Sequence, residues 1–474
     1  MSEKYDVIII GAGPSGIFCA FELMNKQPER RILIIEKGRS IEKRQCPKRT
    51  AGKCVGCKPC AITTGFAGAG AFSDGKLSLS PDVGGALPDI LGYDEAFALM
   101  RESDEVYLAF GADKRVYGLD KADEIARIRR KAINANLKLI NCPIRHLGTE
   151  EGYKIYCALQ THLLDKGVEI LFNTMVDDIL IENERAVGVR AGGRAYRGGE
   201  IVAAVGREGA QWFEGVCRRH RVATKVGTVD IGVRVEVRNE IMDALNKALY
   251  EAKLVYHTPT FDDKVRTFCT NPSGEVATEY YEGGLAVVNG HAYKSSEFKT
   301  DNTNFAILVS KNFTRPFSTP IDYGKKIAEL SNMLCDGKIM VQTFGDYRRG
   351  RRTTEERLCR NNLLPTLKDA VPGDLSLVFP HRIMVDIEEM IWALDKVTPG
   401  IASDETLLYG VEVKFYSNKV VVDRDFQTSV KGLRAIGDGA SVTRGLQQAS
   451  ANGISVARSI MRHNGCDLDK RVGN

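Results

Sequence analysis

The chain has 474 residues, 43% of them apolar and 27% charged, enough length for two or three domains and enough apolar content for a large core. Its formal net charge of +5 is too mild to mark nucleic acid as a partner, and its strand-sized apolar runs fall far short of the ~18 residues that span a membrane. The first residues run straight into a strand-like segment, leaving no room for a signal peptide, so a cytoplasmic protein is expected.

The apolar run Val7–Ile10 leads into Gly11-Ala12-Gly13-Pro14-Ser15-Gly16 and a helix-like stretch, Ile17–Asn25; a second run, Ile32–Ile35, ends on Glu36 and Lys37. Strand, glycine turn, helix, strand and acid within ~30 residues is the layout of a dinucleotide-binding βαβ unit. Gly11 permits the tight turn, Gly13 lets the backbone approach a pyrophosphate, and Gly16 lets helix and strand pack closely. The helix start offers N–H groups and a positive partial charge to phosphates, and Glu36 is placed to accept from ribose hydroxyls.

Of 12 cysteines, eight are scattered and read as small buried apolar residues. The other four, Cys46, Cys54, Cys57 and Cys60, stand close together, and in a cytoplasmic chain they are not a disulfide framework. Their spacing matches the compact run that wraps a 4Fe-4S cluster. Structural zinc is the second reading, a redox-active disulfide the third and unligated thiols the fourth.

Farther along, Tyr93 to about Asn134 reads as helical, with Arg127–Lys131 as its solvated face, and Gly148–Lys166 as another helix. Val168–Phe172 reads as a strand, and Met175–Glu182, including Val176, pairs with Ala186–Ala191 in a hairpin. Glu200–Val205 is a strand ending in a turn at Gly206; no acid follows a second strand there, so it is not another dinucleotide unit. From Gly227 to about Thr398 short alternating runs such as Ile231–Val237, Leu285–Val288 and Phe305–Val309 lie among loops and one or two helices. That stretch reads as an inserted, sheet-rich α+β substrate domain at 227–398, within a discontinuous Rossmann-like α/β domain at 1–226 and 399–474. Within the insert, Arg348–Arg352 reads first as a surface loop, with an anionic substrate or nicotinamide phosphates as the alternative. Val411–Val422 returns to strand character; Leu433–Ile436 is a strand ending in Gly437-Asp438-Gly439, and a long helix starts near Leu446.

This last element complements the first. In flavoproteins of the glutathione-reductase type, a Gly-Asp here contacts the ribityl chain and pyrophosphate, and the next helix points its N-terminus at the flavin pyrimidine ring. The donors in this chain are the backbone of Leu446, Gln447 and Gln448, preceded by Gly445, with Arg444 adding a fixed charge. FAD is the cofactor these two elements imply together.

The chain resembles the NAD- or FAD-utilising dehydrogenases of bacteria and archaea. The shared marks are Gly68-Ala69-Gly70-Ala71-Phe72-Ser73-Asp74-Gly75-Lys76-Leu77, Arg145-His146-Leu147-Gly148-Thr149, Asp230-Ile231-Gly232-Val233-Arg234, Arg266-Thr267-Phe268-Cys269, Val288-Asn289-Gly290-His291 and Gly437–Gly453. The resemblance implies a FAD-binding fold with an inserted substrate domain and supplies no substrate. Gly70, Ala71, Phe72, Ser73, Asp74, Lys76 and Leu77 fall where related flavoenzymes run past the isoalloxazine, and Lys37, Val176 and Gly206 join the cofactor-binding set. A metal cluster just before this segment would pass single electrons to or from FAD.

With no second nicotinamide domain visible, hydride comes from a transiently docked NAD(P)H, from the small-molecule substrate, or as electrons through the cysteine site and an electron-carrier protein. Acid–base work falls to the insert: His291, Tyr293, Arg266 and Cys269, with His381-Arg382 and His146 weaker. The expected activity is that of a FAD-dependent oxidoreductase acting on a small metabolite. A flavin monooxygenase is the first alternative, and a flavin-bound redox sensor or partner-binding protein the second.

Overall fold

The computed structural model describes residues 4–47, 55, 57–72, 75–281, 284–292, 296–317, 319–415 and 419–469. The chain divides into two units: Met1–Val116, Pro143–Lys225 and Ser417–Asn474 form the first, Tyr117–Cys142 and Val226–Tyr416 the second.

In the first unit β1 (Lys4–Ile10) crosses over through α1 (Pro14–Lys26) to β2 (Ile32–Ile35), which lies parallel to it. Val7 to Ile10 are at most 4% exposed, as expected of a parallel strand covered on both faces. After α2 (Tyr93–Ala109) and α3 (Thr149–Asp165), β3 (Glu169–Leu171) extends the sheet beyond β2. The antiparallel meander β4 (Val176–Glu182), β5 (Arg185–Ala191) and β6 (Arg194–Ala203) follows, and β6 returns to lie parallel to β1. A last parallel strand, β7 (Leu433–Ala435), pairs with β6, and α4 (Leu446–Asp469) packs along α1. This is the Rossmann-like arrangement expected from the two glycine motifs, mixed α/β with an antiparallel appendage.

The single helix expected from Tyr93 to Asn134 is two, Tyr93–Ala109 and Ala122–Asn134. Gly111 at φ +101° turns the chain out of the first. The second belongs to the other unit, where Ile125 and Ala132 are buried in its core.

The second unit is an eight-stranded sheet in the order Val371–Pro372, Met340–Thr343, Leu407–Phe415, Val229–Arg238, Asn302–Lys311, Lys264–Asn271, Lys253–His257, Lys138–Ile140. All neighbours are antiparallel except the first pair. Strand alternation sends Val229, Ile231, Val233, Val235 and Val237 to an apolar core, together with Ile383, Ile387 and Ile391 of the helix His381–Val397. On the same strand Asp230, Arg234 and Glu236 are buried too, so the sheet's other face is polar and covered. Part of that cover is the hairpin of Glu275–Tyr280 and Ala286–His291.

The insert was expected at 227–398, whereas this unit also takes in Tyr117–Cys142 and the strand Leu407–Phe415. The reason is pairing: Leu139 lies opposite Leu254, and Val413 opposite Ile231. Three long helices, Asn239–Ala248, Pro320–Leu334 and His381–Val397, stand where one or two were expected. The basic run Arg348–Arg352 is engaged in structure: Arg348 stacks 4.8 Å over Trp392, Arg349 pairs with Asp404 at 2.6 Å and Arg351 with Asp346 at 2.6 Å. Among the described residues no helix is long and apolar enough to cross a membrane.

Candidate functional site

The glycine turn forms a cradle with one open position. Gly11 sits at φ +101°, where a Cβ would fall 2.8 Å from the Ala204 carbonyl oxygen beyond β6, and a Cβ on Gly16 would fall 2.2 Å from the Gly11 carbonyl oxygen. Both positions are closed to any side chain. Gly13 differs: nothing lies within 4 Å of its would-be Cβ, so its bareness keeps space clear in front of the helix. Gly13 is the N-cap of α1, Pro14 takes the first turn, and no side chain caps the end. The leading N–H groups and the helix dipole are thus presented to an anion.

Glu36, buried beyond the end of β2, accepts from Ala12 N at 2.9 Å, Gly38 N at 2.8 Å and Gly65 N at 3.1 Å. A carboxylate has about four lone-pair sites, so three backbone donors leave room for a hydroxyl. Glu36 fastens the glycine turn to the following loops, a task beyond the ribose contact expected of it. Lys37 lies 3.4 Å from Glu208, and Val176 is buried where β4 begins.

The C-terminal motif meets the same place. Gly437 sits at φ +77°, and its would-be Cβ is 2.9 Å from Ser15 Oγ. Asp438 accepts from Thr443 Oγ1 at 2.9 Å and faces Arg207 Nε at 3.4 Å, and Gly206 has open space before it. Arg444 N donates to the Gly84 carbonyl at 2.7 Å, placing Gly445 and Leu446 at the start of α4. Leu446 reaches back: a Cβ on Gly70 would lie 2.7 Å from its Cδ2 and 3.8 Å from Pro14 Cγ. Gly13, Pro14, Ser15, Gly70, Gly437 and Leu446, read from distant parts of the chain, therefore surround one place within the first unit. Ala71 and Leu77 are buried, Phe72 is half-buried, and Lys76 pairs with His146 across a short antiparallel ladder. Ser73 and Asp74 lie outside the described residues.

Gln447 and Gln448 were expected to act through their backbone, and the structure gives their side chains separate work. Gln448 accepts from Leu87 N at 3.2 Å and donates to Pro81 and Val83 carbonyls at 2.9 Å; Gln447 donates to the Met100 carbonyl at 2.5 Å and Ser103 Oγ at 3.0 Å. They tie the start of α4 to α2 and to the loop before it.

Two features escaped the sequence reading. Arg44, 4% exposed, donates to the carbonyls of Ala61 (3.0 Å), Ile62 (2.6 Å), Phe66 (2.5 Å) and Gly68 (2.7 Å), and lies 4.8 Å over the Phe72 ring. Burial draws its pKa down to about 10, still charged at neutral pH. The second is a chain of buried hydroxyls: Tyr156 lies 3.0 Å from Tyr107, Tyr107 2.9 Å from Ser450 Oγ, and Ser450 Oγ donates to the Leu446 carbonyl at 2.9 Å. Burial pushes Tyr107 up to about 12 and raises Tyr156 well above the usual phenol value, so both stay neutral. Neither feature has a local motif, because each partner is remote in sequence.

The catalytic candidates belong to the second unit. Arg266 donates to Asp230, whose other oxygen accepts from Ser310 at 2.7 Å. Cys269 stands at φ +49° in a bulge of the strand Lys264–Asn271, its carbonyl accepting from Arg234 at 3.2 Å. His291 is exposed at the end of its hairpin strand, and Tyr293 lies outside the described residues. The polar face centres on Arg234, which is 0% exposed and bidentate to Glu412 at 2.7 and 2.9 Å, with Asn304 Oδ1 at 2.8 Å. A Cβ on Gly290 would lie 2.1 Å from Asn304 Oδ1 and 2.4 Å from Arg234 Nη1. Two of the sequence marks, Asp230–Arg234 and Val288–His291, thus meet at one place: the first supplies Arg234 of the buried ion pair and the second the bare Gly290 packed against it.

Cys46, Cys57 and Cys60 are free thiols, and Cys54 lies outside the described residues. Among the described residues no group of three or more His, Cys, Asp or Glu side chains is placed to hold a metal ion.

Residues 228–415 match the family described as FAD-dependent protein, C-terminal domain-like, which agrees with the resemblance read from the motifs of that stretch. No curated protein gives a match. Among solved structures, the chain is similar to L-proline dehydrogenase from P. horikoshii (12% identity, TM-score 0.38, covering 98% of this chain and 95% of that one). Glycine oxidase from Geobacillus kaustophilus (14%, 0.38, 97% and 95%) and L-amino acid deaminase from Proteus vulgaris (13%, 0.38, 98% and 94%) are others. At these identities and scores the likeness carries no argument.

Proposed function

We propose that the first unit binds one FAD and that the protein is a FAD-dependent oxidoreductase acting on a small molecule. The observation that carries this reading is the convergence of the open Gly13, the uncapped start of α1 and the Gly437–Ser15 contact. Such a place suits a diphosphate, since the helix dipole and leading N–H groups face it and no side chain fills it. In this reading the backbone of Gly13, Ser15 and Gly16 holds the pyrophosphate, Glu36 uses its remaining acceptor capacity on the ribose, and Asp438 takes the ribityl hydroxyls. The start of α4 at Leu446, with Arg444 before it, favours negative charge beside it. When bound, FAD supplies a two-electron acceptor or donor for hydride transfer. Arg266, Cys269, His291 and Tyr293 are proposed as the groups that hold and orient substrate or move its protons.

The test is the visible spectrum of the purified protein. Flavin bands at one per chain, absent in Gly13→Val, are the expected result; protein that shows none and takes up no FAD on reconstitution refutes the reading. Anaerobic mixing with NAD(P)H then separates the donors: rapid bleaching assigns the nicotinamide, whereas bleaching only with a metabolite assigns the substrate. Iron, acid-labile sulfide and zinc on the same sample test the cysteine site, and stoichiometric metal lost in Cys57→Ser would establish it.

A further inference from the structure

Residues 57–72 run beside the glycine turn without a strand, in turns and a short 3-10 helix, Gly68–Phe72. An irregular buried segment must still satisfy its backbone groups. Two of its donors go to the glycine-turn side, Gly65 N to Glu36 at 3.1 Å and Ala67 N to the Ala12 carbonyl at 2.8 Å, while Thr64, Phe66 and Gly68 N donate to the Cys60, Arg39 and Gly65 carbonyls. Its acceptors go to Arg44, which takes the carbonyls of Ala61, Ile62, Phe66 and Gly68. Gly65 lies between the two charges, its would-be Cβ 2.7 Å from Arg44 Cδ.

A trans peptide points its C=O and N–H in opposite directions. Each carbonyl turned onto Arg44 therefore turns the following N–H away from it. For Phe66 that N–H is Ala67's, which lands on the glycine turn. For Gly68 it is the N–H of Ala69, an exposed residue, and Gly68 itself comes within 3.5 Å of the Gly13 Cα, measured from its would-be Cβ. None of the hydrogen bonds of Arg44 among the described residues goes to a carboxylate. The ionisable groups that bear on it are Glu36, already engaged by three backbone donors, and Cys60.

We propose that Arg44 is a positioning residue for the diphosphate: by gripping the Gly68 carbonyl it turns the Ala69 N–H toward the open face of Gly13, and it adds buried positive charge behind that N–H. The inference rests on the FAD reading of this unit and extends it to a residue with no motif. Lysine cannot replace it fully, because an ammonium has three donors and no planar fork to span four carbonyls.

The experiment uses cofactor-stripped full-length protein with two probes, ADP, which carries the diphosphate, and adenosine, which does not. Arg44→Met should weaken ADP binding by about tenfold or more while adenosine changes by less than about threefold, with Arg44→Lys between wild type and Arg44→Met for ADP. If Arg44→Met does not fold, Arg44→Gln, which keeps an amide donor without the charge, carries the same comparison. ADP affinity within about threefold of wild type in a folded, uncharged variant overturns the inference. So does an equal loss for ADP and adenosine, which would assign Arg44 to general loop structure. A wild-type protein that binds neither FAD nor ADP refutes the cofactor reading itself, a distinct outcome.

Discussion

The hydroxyl chain Tyr156–Tyr107–Ser450 has a direction that can be measured. Ser450 spends its proton on the Leu446 carbonyl, so it must accept from Tyr107; Tyr107, its proton then used, must accept from Tyr156. All three residues are 0% exposed, so no water replaces a lost partner. Tyr156→Phe removes only the first donor and leaves every remaining O–H satisfied, for a cost of about 0.5–1.5 kcal/mol. Tyr107→Phe removes the link and also strands the Tyr156 O–H, adding a desolvation penalty of about 1–3 kcal/mol. The double variant has no stranded hydroxyl on either tyrosine, so it should be more stable than Tyr107→Phe alone by about 1 kcal/mol or more. Urea unfolding of the cofactor-free variants, followed by circular dichroism, reads these differences as midpoint shifts at constant slope. Additive losses in the double variant, or a larger loss for Tyr156→Phe than for Tyr107→Phe, would refute the directional chain.

In the second unit, Arg234→Met leaves Glu412 buried with Lys414 as its remaining cation, at 3.1 Å. It should destabilise by about 3–5 kcal/mol, whereas Arg234→Met with Glu412→Leu recovers part of the loss in thermal unfolding. A second cluster sets a pH dependence. Asp386 accepts from Thr258 at 2.7 Å and faces Lys311 at 3.3 Å, while Asp263 pairs with Lys311 and with Arg382 at 2.6 and 3.0 Å. Burial raises Asp386 to about 6, and its hydrogen bonds from Arg382 and Lys311 hold Asp263 down despite burial. A raised folded pKa contributes stability below the unfolded value that is lost as pH rises through about 6; the depressed Asp263 contributes stability that is lost as pH falls below about 4. Asp386→Asn should therefore flatten the fall in stability between about pH 4 and about pH 6, the window between the unfolded and folded values of that carboxyl. An unchanged pH profile would remove Asp386 from that role.

How far the sequence discloses this molecule depends on how local each constraint is. Gly16 is readable because its close contacts lie with the strand and turn just before it, Gly11 because it belongs to the same local glycine pattern although its own close contact is the remote Ala204 carbonyl, and Gly437 because it recurs before a helix. The polar face of the second unit is different. Gly290 stands out as a mark in the sequence, yet its reason appears only when Asn304 and Arg234 are seen beneath it. Arg44 looks like any surface arginine in a basic stretch, since the carbonyls it grips carry no side-chain signature. Cysteine spacing is compatible with several centres, and the described cysteines do not single one out. The unit boundary failed for the same physical reason: Ala122–Asn134 has the pattern of an amphipathic helix, but nothing in that pattern says which core it covers.

The sheet of the second unit ends on a strand, Lys138–Ile140, supplied from a segment nearly ninety residues before the strand Val229–Arg238 ~ as a chain separation. A fragment cut at 228–415, the limits of the family match, leaves that strand behind. Lys253–His257 would then be a bare edge, its N–H and C=O groups unpaired and ready to template another chain. The same cut strips Ile125, Ala132, Leu137 and Leu139 from the core they help to close. Such a fragment is expected to self-associate, and a soluble version of this unit has to carry residues 117–142 with it.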